Sequence, residues 1–356
     1  MRKLATIQRI TEINPIIGAD SIEVASILGW KVVLQKNQFK VGDIVVYCEI
    51  DSLLPIRPEF EFLRKSCYKK NENGEGFRIK TIRLRGQISQ GIVFPLTILN
   101  KSDQIIAAIK NGRHVEGTDI TESIGITQYI PAIPQNIAGT VKGPFPSFIL
   151  KTDETRVQVL QDVLTRHKGK VCYVTEKVDG SSVTYYYRNG EFGVCSRNLE
   201  LKETEDNLLW KMARKYKIEE ILKQTGKNMA LQGELIGIGV QKNNLRIPEN
   251  KVLFFNVFDI DKCQYYNYSE FIHFFANVEL ESVPILETNY ILNDNIDFLI
   301  EKSKGVSKLN EKVFREGIVI RPLEECFDFH MSQGFANGRL SFKAINPEYL
   351  LKYSEE

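Results

Sequence analysis

A short run that ends in a single lysine and a tight turn constrains this chain more than any other segment. Residues 173–182 read Tyr-Val-Thr-Glu-Lys-Val-Asp-Gly-Ser-Ser, which is typical of a strand that enters an Asp-Gly turn. Lys177 stands at the end of that strand. A lysine held in a dry site that is rich in other cations loses its proton more easily, and the free amine is a nucleophile. The Lys-x-Asp-Gly pattern alone is weak evidence, because such combinations occur by chance.

Four single charges lie in segments that otherwise predict apolar strands: Lys177, Glu234, Glu316 and Lys343. A buried charge is costly unless it is paired or coordinates a ligand. We therefore expect one cleft between sheets to collect all four. Lysines neutralise phosphate oxygens, and carboxylates bind a divalent ion or a ribose hydroxyl. An aromatic side chain from the strand predicted at residues 253–260 can stack on a base.

Length and composition exclude several classes of protein. A chain of 356 residues is too long for one typical core, so two domains are expected. Lys and Arg number 47 against 45 Asp and Glu, so any contact with nucleic acid must come from local patches. The six cysteines form no Cys-x-x-Cys pair and the four histidines are widely spaced, which argues against structural zinc, a disulfide scaffold and a Ser-His-Asp site. Without a secretion signal or a bilayer-spanning run, we expect an intracellular protein, cytoplasmic or nuclear, that is not secreted.

The first third of the chain is predicted to be rich in strands, and the rest mixes strands and helices. Glycine-punctuated β-branched runs predict a small barrel; they lie at residues 30–34, 43–47, 77–86 and 91–95. Residues 131–146 hold four of the twelve prolines and predict a linker. Helical spacing predicts helices at residues 154–167 and 208–223, and Asn-Gly predicts a hairpin over residues 185–192.

Six short motifs, the first of which contains Lys177, follow one another in one order, and together they resemble the covalent nucleotidyltransferases, which are the polynucleotide ligases and mRNA capping enzymes. The motifs lie at residues 177–180, 196–198, 233–234, 255–259, 316–319 and 342–343. The residues of these motifs are most similar to those of ATP-dependent RNA ligases. Residues 19–24 and 39–43 resemble the OB-type domain that precedes the catalytic domain in RNA ligases of the Deinococcus and Naegleria type.

The resemblance implies an α+β fold in two parts. An N-terminal OB-like β-barrel, residues 1–135, would bind nucleic acid. A nucleotidyltransferase domain, ATP-grasp-like as in ligases, would follow over residues 136–356, with antiparallel sheets and flanking helices. The implied partners are ATP and RNA or an RNA-containing duplex with a nick, and the implied cofactor is Mg²⁺ or Mn²⁺. We expect a monomer that has no contact with a membrane.

The resemblance also implies roles for the nucleotide-binding residues. Lys177 would attack the α-phosphate of ATP and form a lysyl-AMP intermediate. Glu234 would contact the ribose, Phe255 would stack on adenine, and Lys343 would contact the α-phosphate. The family often carries Lys-x-Lys in its last motif, whereas this chain has Ser341 two residues before Lys343, so the first of those lysines has no match.

Further residues are implied around the same nucleotide. Glu316 would help to bind the metal, and Arg197 would engage the 5′-phosphate strand beside the cofactor. Glu176 is a candidate cofactor contact, although alternation along a strand turns its side chain away from that of Lys177, where solvent or a structural hydrogen bond would account for it. Arg83 and Arg85, two apart on a predicted strand, would share one face and contact nucleic acid.

Simpler explanations apply to several neighbours of these motifs. Phe254 and Phe258 are expected in the core rather than at the cofactor. Asp179 could shape its turn or take part in the chemistry. The basic residues within 211–217 are typical of the solvent-exposed face of a helix, and could otherwise contact RNA.

Other functions remain open at this stage. A DNA ligase and a GTP-dependent capping guanylyltransferase share the lysine chemistry, but both families usually carry an OB module after the catalytic domain, and little chain follows Asn346. A non-catalytic nucleic-acid-binding protein built on the barrel would bind in a salt-sensitive way and form no covalent nucleotide adduct. The leading hypothesis is an ATP-dependent RNA ligase in RNA repair that seals nicks with an RNA 3′-hydroxyl strand.

Overall fold

The computed structural model describes residues 3–71, 74–99, 115–130, 138–333 and 338–353. The chain divides into two compact units, one of residues 1–132 with 350–356 and one of residues 133–349. The predicted domain boundary at residues 135 and 136, and the prolines at positions 131 and 134 of the predicted linker, lie outside the described residues. Within the described ranges, no helix combines the length and the apolar character needed to cross a bilayer.

The first unit is built from short antiparallel strands around one apolar core. The strands are β1 Ala5–Arg9, β2 Glu12–Pro15, β3 Ile22–Ile27, β4 Trp30–Gln35, β5 Ile44–Cys48, β6 Ser52–Leu54, β7 Tyr68–Asn71, β8 Gly74–Arg78, β9 Thr81–Leu84, β10 Gln87–Gln90, β11 Ile92–Phe94 and β12 Thr127–Gln128. They pair in the orders β1-β5-β11, β2-β3-β4, β9-β10 and β12-β6-β8-β7. A short helix, α1 Arg64–Cys67, follows a 3₁₀ turn at Pro58–Leu63, and Trp30, Tyr47 and Phe77 are fully buried.

The strand predicted over residues 77–86 is wrong as a single element, and this changes the geometry of two arginines. Strand β9 ends at Leu84, and Arg85 and Gly86 form a two-residue turn with φ of +47° and +84° before β10 begins. Positive φ at both positions is the backbone of a type I′ hairpin. Arg83 is therefore on the strand and Arg85 in the turn, so alternation along one strand does not place them on one face.

The second unit contains two sheets. Its strands are β13 Val141–Pro144, β14 Thr155–Arg156, β15 Val171–Lys177, β16 Ser181–Arg188, β17 Glu191–Cys195, β18 Leu199–Leu201, β19 Met229–Ile236, β20 Lys251–Asp259, β21 Gln264–Tyr265, β22 Ile285–Ile291, β23 Gly317–Pro322 and β24 Phe342–Ile345. Seven strands pair in the order β13-β18-β17-β16-β19-β20-β21, and five in the order β14-β24-β23-β15-β22. The pairing of β14 with β24 is parallel and the other pairings are antiparallel.

Helices follow and flank these strands. They are α2 Gln161–His167, α3 Leu208–Lys215, α4 Ile218–Gln224, α5 Tyr268–Ala276 and α6 Ile296–Ser303, with 3₁₀ turns at Val157–Val159 and Phe329–Gln333. A last helix, α7 Pro347–Tyr353, begins in the second unit, and its residues from Leu350 onward belong to the first. The helix predicted over residues 208–223 is divided, because Lys217 takes a left-handed φ of +50° between α3 and α4. The helix predicted from residue 154 begins only at Gln161. The predicted hairpin is confirmed, with Asn189 and Gly190 at φ of +52° and +89°.

Each sheet has one apolar face and one face that carries polar groups. Helices α3, α4 and α5 pack on one face of the seven-stranded sheet, together with side chains such as Leu231 and Leu235. Helices α2 and α6 pack on one face of the five-stranded sheet, together with side chains such as Val174 and Ile318. Because side chains alternate along a strand, the neighbouring positions on these strands face away from the helices. Lys177, Glu234 and Lys343 belong to those opposite faces.

An ionic cluster joins α2 to the 3₁₀ turn at Phe329–Gln333. The buried Asp328 carboxylate accepts hydrogen bonds from Arg166 Nε at 3.0 Å and Nη2 at 2.9 Å, and from the His330 backbone N–H at 2.8 Å. His167 Nε2 lies 2.9 Å from the same carboxylate. The Arg166 hydrogen bonds lead the effects that hold the pKa of Asp328 well below its ordinary value.

We expect Asp328→Asn to lower the free energy of unfolding at pH 7 by about 2 kcal/mol, since charge-assisted hydrogen bonds are lost. Because the folded-state pKa is depressed, this stabilisation is complete above the ordinary carboxyl pKa of about 4 and declines as the pH falls below it. Thermal unfolding of the wild-type and Asp328→Asn proteins should show a difference in the free energy of unfolding that decreases as the pH falls from 7 to 3. The exposed Asp162→Asn is the control. A difference in the free energy of unfolding that does not change with pH would contradict the assignment of this stabilisation to the Asp328 carboxylate.

Candidate active site

Lys177 forms an ion pair with Glu316 at the ends of two neighbouring strands. Its Nζ donates a hydrogen bond to Glu316 Oε2 at 2.7 Å. Strands β15 and β23 pair so that Lys177 lies opposite Gly317, which places the preceding Glu316 beside the lysine. The two side chains are 24% and 17% exposed, so the pair is largely shielded but open to a ligand.

The surroundings of Lys177 are anionic, and are not the cation-rich setting in which a lysine loses its proton more easily. Burial lowers the pKa of the Lys177 ammonium, but the Glu316 and Glu234 carboxylates outweigh burial and raise that pKa above its ordinary value. The lysine is therefore a protonated ion-pair partner.

Glu234 approaches the same lysine from the seven-stranded sheet. Burial raises the pKa of the Glu234 carboxyl to about 8; the Lys177 ammonium opposes this rise, and the Glu316 and Asp179 carboxylates add to it. Burial likewise raises the pKa of Glu316, against the opposing charge of Lys177. The two carboxyls and the lysine are thus close enough to share one electrostatic environment, as the sequence predicts.

Lys343 completes the set of four charges. It lies on β24, where it pairs with Val319 of β23, and Val319 in turn pairs with Thr175 of β15. Thr175 and Lys177 are two residues apart, so Lys343 shares the face of the sheet that carries Lys177. Its charge also acts to lower the pKa of Glu316.

Residues 150–156, which we call the crossing segment, connect the two sheets at this cleft. Gln232 of the seven-stranded sheet donates to the Leu150 carbonyl at 2.7 Å. Arg321 of the five-stranded sheet donates to Glu154 Oε1 at 2.9 Å. The segment ends in β14, where Arg156 pairs with Lys343. It therefore lines the cleft with charged residues.

Sequence reasoning missed the charged residues of the crossing segment. It assigned Glu154 and Arg156 to the start of a helix, where charged residues on the solvent-exposed face are common, and gave no role to Asp153. In the structure Arg197 Nη2 donates to Asp153 Oδ1 at 2.7 Å and Oδ2 at 2.5 Å. The available signal was the dense run Lys-Thr-Asp-Glu-Thr-Arg at residues 151–156, which no apolar position interrupts.

Phe255 differs from its aromatic neighbours as the sequence predicts. Phe254 and Phe258 are fully buried in the core, whereas Phe255 is half-buried. The pairing of β19 with β20 shifts register at Gly233, so Phe255 is the extra residue of a bulge. The Arg321 guanidinium lies 6.0 Å from the Phe255 ring centroid. Stacking of Phe255 on a base stays a prediction.

Glu176 and Asp179 make contacts of different kinds. The buried Glu176 carboxylate accepts from the Ser307 hydroxyl and from the Lys308 backbone N–H, the latter at 2.7 Å. Glu176 faces the helix side of its sheet with Val174, so the contacts of its side chain support a structural role rather than a contact with the cofactor. Asp179 Oδ2 accepts from Asn244 Nδ2 at 3.0 Å, and its charge acts on Glu234.

The carboxylates of the cleft suit a hard divalent cation that keeps part of its water shell. Within the described parts of the chain, no group of three or more His, Cys, Asp or Glu is placed to hold a metal ion. Mg²⁺ is usually bound by one or two carboxylates together with substrate phosphates and water. Glu316 supplies one such carboxylate beside Lys177, so the residues fit a metal that arrives with a phosphorylated substrate.

We expect Glu176→Ala to destabilise the second unit by about 1–3 kcal/mol, because the buried Ser307 hydroxyl and Lys308 N–H lose their acceptor. Nucleotide binding by the folded fraction should change little. Thermal unfolding and titration with ATP measure the two effects separately, and Glu176→Gln, which keeps one acceptor, is the matched control. A fully stable variant that no longer binds nucleotide would show that the side chain acts at the cofactor.

Comparisons with known proteins are consistent with this geometry. Residues 4–96 match a family model described as an OB-fold domain, and residues 170–345 match one described as RNA ligase. A search of the curated proteins finds no match. Together with the two units above, the family models confirm the predicted α+β fold with its OB-type and nucleotidyltransferase parts.

Several solved structures of one protein are similar to the whole chain. The Naegleria gruberi RNA ligase in complex with PPi is 38% identical, with a TM-score of 0.87 and coverage of 100% of both chains. A mutant of that ligase with ATP and Mn is also 38% identical, with a TM-score of 0.87 over 99% of this chain and 100% of the other. An apo mutant of the same ligase is 38% identical, with a TM-score of 0.87 over 100% of this chain and 99% of the other.

Proposed function

The chain belongs to the RNA ligase family, and we propose that it seals nicks in RNA-containing duplexes by joining an RNA 3′-hydroxyl to a 5′-phosphate at the expense of ATP. The observation that carries this proposal is the convergence of Lys177 and Lys343 with Glu234 and Glu316 in one cleft. The ATP, Mn and PPi complexes of the Naegleria gruberi ligase support ATP and a divalent cation as its ligands.

The first step is the attack of the Lys177 amine on the α-phosphorus of ATP. A nitrogen–phosphorus bond forms, the bond from that phosphorus to the pyrophosphate oxygen breaks, and pyrophosphate leaves. Lys177 must first give up its proton and its hydrogen bond to Glu316. Glu316 would help to hold Mg²⁺ or Mn²⁺, which when bound offsets negative charge on the phosphates and on the leaving group, and Glu234 would contact the ribose.

Two further transfers complete the joining reaction. The oxygen of a 5′-phosphate end attacks the lysyl-AMP phosphorus, and the nitrogen–phosphorus bond to Lys177 breaks. A 3′-hydroxyl then attacks the activated 5′-phosphate, and AMP leaves. Lys343 and Arg197 are the cations of the cleft that would neutralise phosphate oxygens during these steps. Dividing one condensation into three transfers is the purpose of the covalent lysine.

The first unit would supply contacts to the nucleic acid. Its match to an OB-fold model supports this role, since OB-folds commonly bind oligonucleotides. Arg83 and Arg85 are exposed in and beside the hairpin turn between β9 and β10, where either can reach a phosphate group. We propose RNA repair as the setting, with the protein acting as a monomer.

We expect Lys177→Ala and Lys177→Arg to abolish labelling of the protein by ATP that carries the label on its α-phosphate. Alanine removes the amine, and arginine keeps the charge but stays protonated and cannot attack. Labelled protein is detected after denaturing electrophoresis, with the exposed Lys168→Ala as control. Labelling that persists in both Lys177 variants would exclude this lysine as the nucleophile, and labelling by GTP instead of ATP would favour capping chemistry.

Matched nicked duplexes that differ only in RNA or DNA at the 3′-hydroxyl end test the proposed substrate. We expect the RNA-ended nick to be sealed at least tenfold faster, a difference of about 1.4 kcal/mol that recognition of a 2′-hydroxyl can supply. Rates are measured under single-turnover conditions with pre-adenylylated protein. Equal rates would point to a DNA ligase, and a preference for single-stranded ends would reject the nick as the substrate.

A further inference from the structure

The Asp153 carboxylate is the point at which the cations of the cleft converge. Both of its oxygens contact one nitrogen of Arg197, at 2.7 Å and 2.5 Å. Burial acts to raise the pKa of Asp153, but the charges of Lys343, Arg197 and Lys177 outweigh burial and lower it. Asp153 is thus ionised and faces three cations, while Glu316 takes the hydrogen bond of Lys177.

The proposed function assigns two of these cations, Lys343 and Arg197, to phosphate oxygens, and makes Lys177 the nucleophile that attacks a phosphorus. A carboxylate resembles a phosphoryl group in carrying negative charge on two oxygens that accept hydrogen bonds from an arginine. We propose that Asp153 takes the Arg197 hydrogen bonds that a substrate phosphoryl group would otherwise accept, and so competes with that group for Arg197. This inference rests on the proposed function, since it assumes that a phosphorylated substrate enters the cleft.

The contacts favour competition between Asp153 and the phosphoryl group over a positioning role, in which Asp153 would hold Arg197 ready for that group. The crossing segment that carries Asp153 is fixed on both sides, by the hydrogen bond between the Thr152 and Ser182 hydroxyls and by the bond from Arg321 to Glu154. The Arg197 side chain is 55% exposed, against 23% for that of Asp153. The arginine can therefore turn toward an incoming anion, while the carboxylate stays in place and repels that anion.

The two roles predict opposite signs for Asp153→Asn, which removes the charge and keeps the shape. A competitor, once neutralised, lets phosphoryl groups bind more tightly, by about tenfold for one charge-assisted hydrogen bond. If Asp153 instead positions Arg197, its neutralisation makes phosphoryl groups bind more weakly. A loss of structure also weakens binding, so tighter binding is a result that damage to the fold does not produce.

The experiment measures dissociation constants by calorimetry with the full-length protein before adenylylation. One arm uses inorganic pyrophosphate, and the other compares 5′-phosphorylated with 5′-hydroxyl RNA of one sequence. Asp153→Asn should bind the phosphorylated probe of at least one arm about tenfold more tightly. The arm that responds identifies the phosphoryl group as that of the triphosphate or that of the 5′ end. Asp162→Asn, an equal charge change at an exposed site on α2, should leave both arms unchanged.

The gain should shrink when Arg197→Ala is combined with Asp153→Asn, because the contested partner is then absent. Asp153→Ser serves as a second neutral variant if the asparagine protein does not fold. Unchanged or weaker binding in both arms would overturn the proposal. If the wild-type protein formed no lysyl-AMP, the proposed function would fail, yet these binding constants would still decide the role of Asp153.

Discussion

The 2.7 Å ion pair between Lys177 and Glu316 is the constraint on which the cleft depends. An ammonium and a carboxylate can remain on the inner ends of strands only because each neutralises the other. The same pair restrains the reactivity of Lys177, since the neighbouring carboxylates favour its charged form. Binding of a substrate with its cation must therefore change the partners of Glu316 before the amine can react.

Alternation along the strands separates stability from chemistry in the second unit. Apart from the buried Glu176, the helix-facing positions named above are apolar and buried, and Lys177, Glu234 and Lys343 lie on the opposite faces. Close packing of the backbone beside Lys177 supports this arrangement. A Cβ at Gly317 would lie 2.3 Å from the Ala344 carbonyl oxygen, and one at Gly180 would lie 2.2 Å from that of Leu235. Glycine at both positions is thus explained by close approach, and neither has the positive φ of a turn glycine.

The sequence predicts the cleft better than the elements around it. Single charges in apolar strands were enough to group Lys177, Glu234 and Glu316, because burial of a charge demands a partner. The breaks at Arg85 and Lys217 could not be predicted, since each depends on a non-glycine residue that adopts a left-handed φ. Asp153 was missed because it lies just before the helix predicted from residue 154, and only contacts between distant segments bring it to the cleft.

The most direct test of the account is an experimental structure of the wild-type protein with a non-hydrolysable ATP analogue and Mn²⁺. The account predicts that Lys177 Nζ leaves Glu316 and lies in van der Waals contact with the α-phosphorus, opposite the leaving pyrophosphate. Finding that Nζ still bound to Glu316, or turned into solvent far from the bound purine, would contradict it.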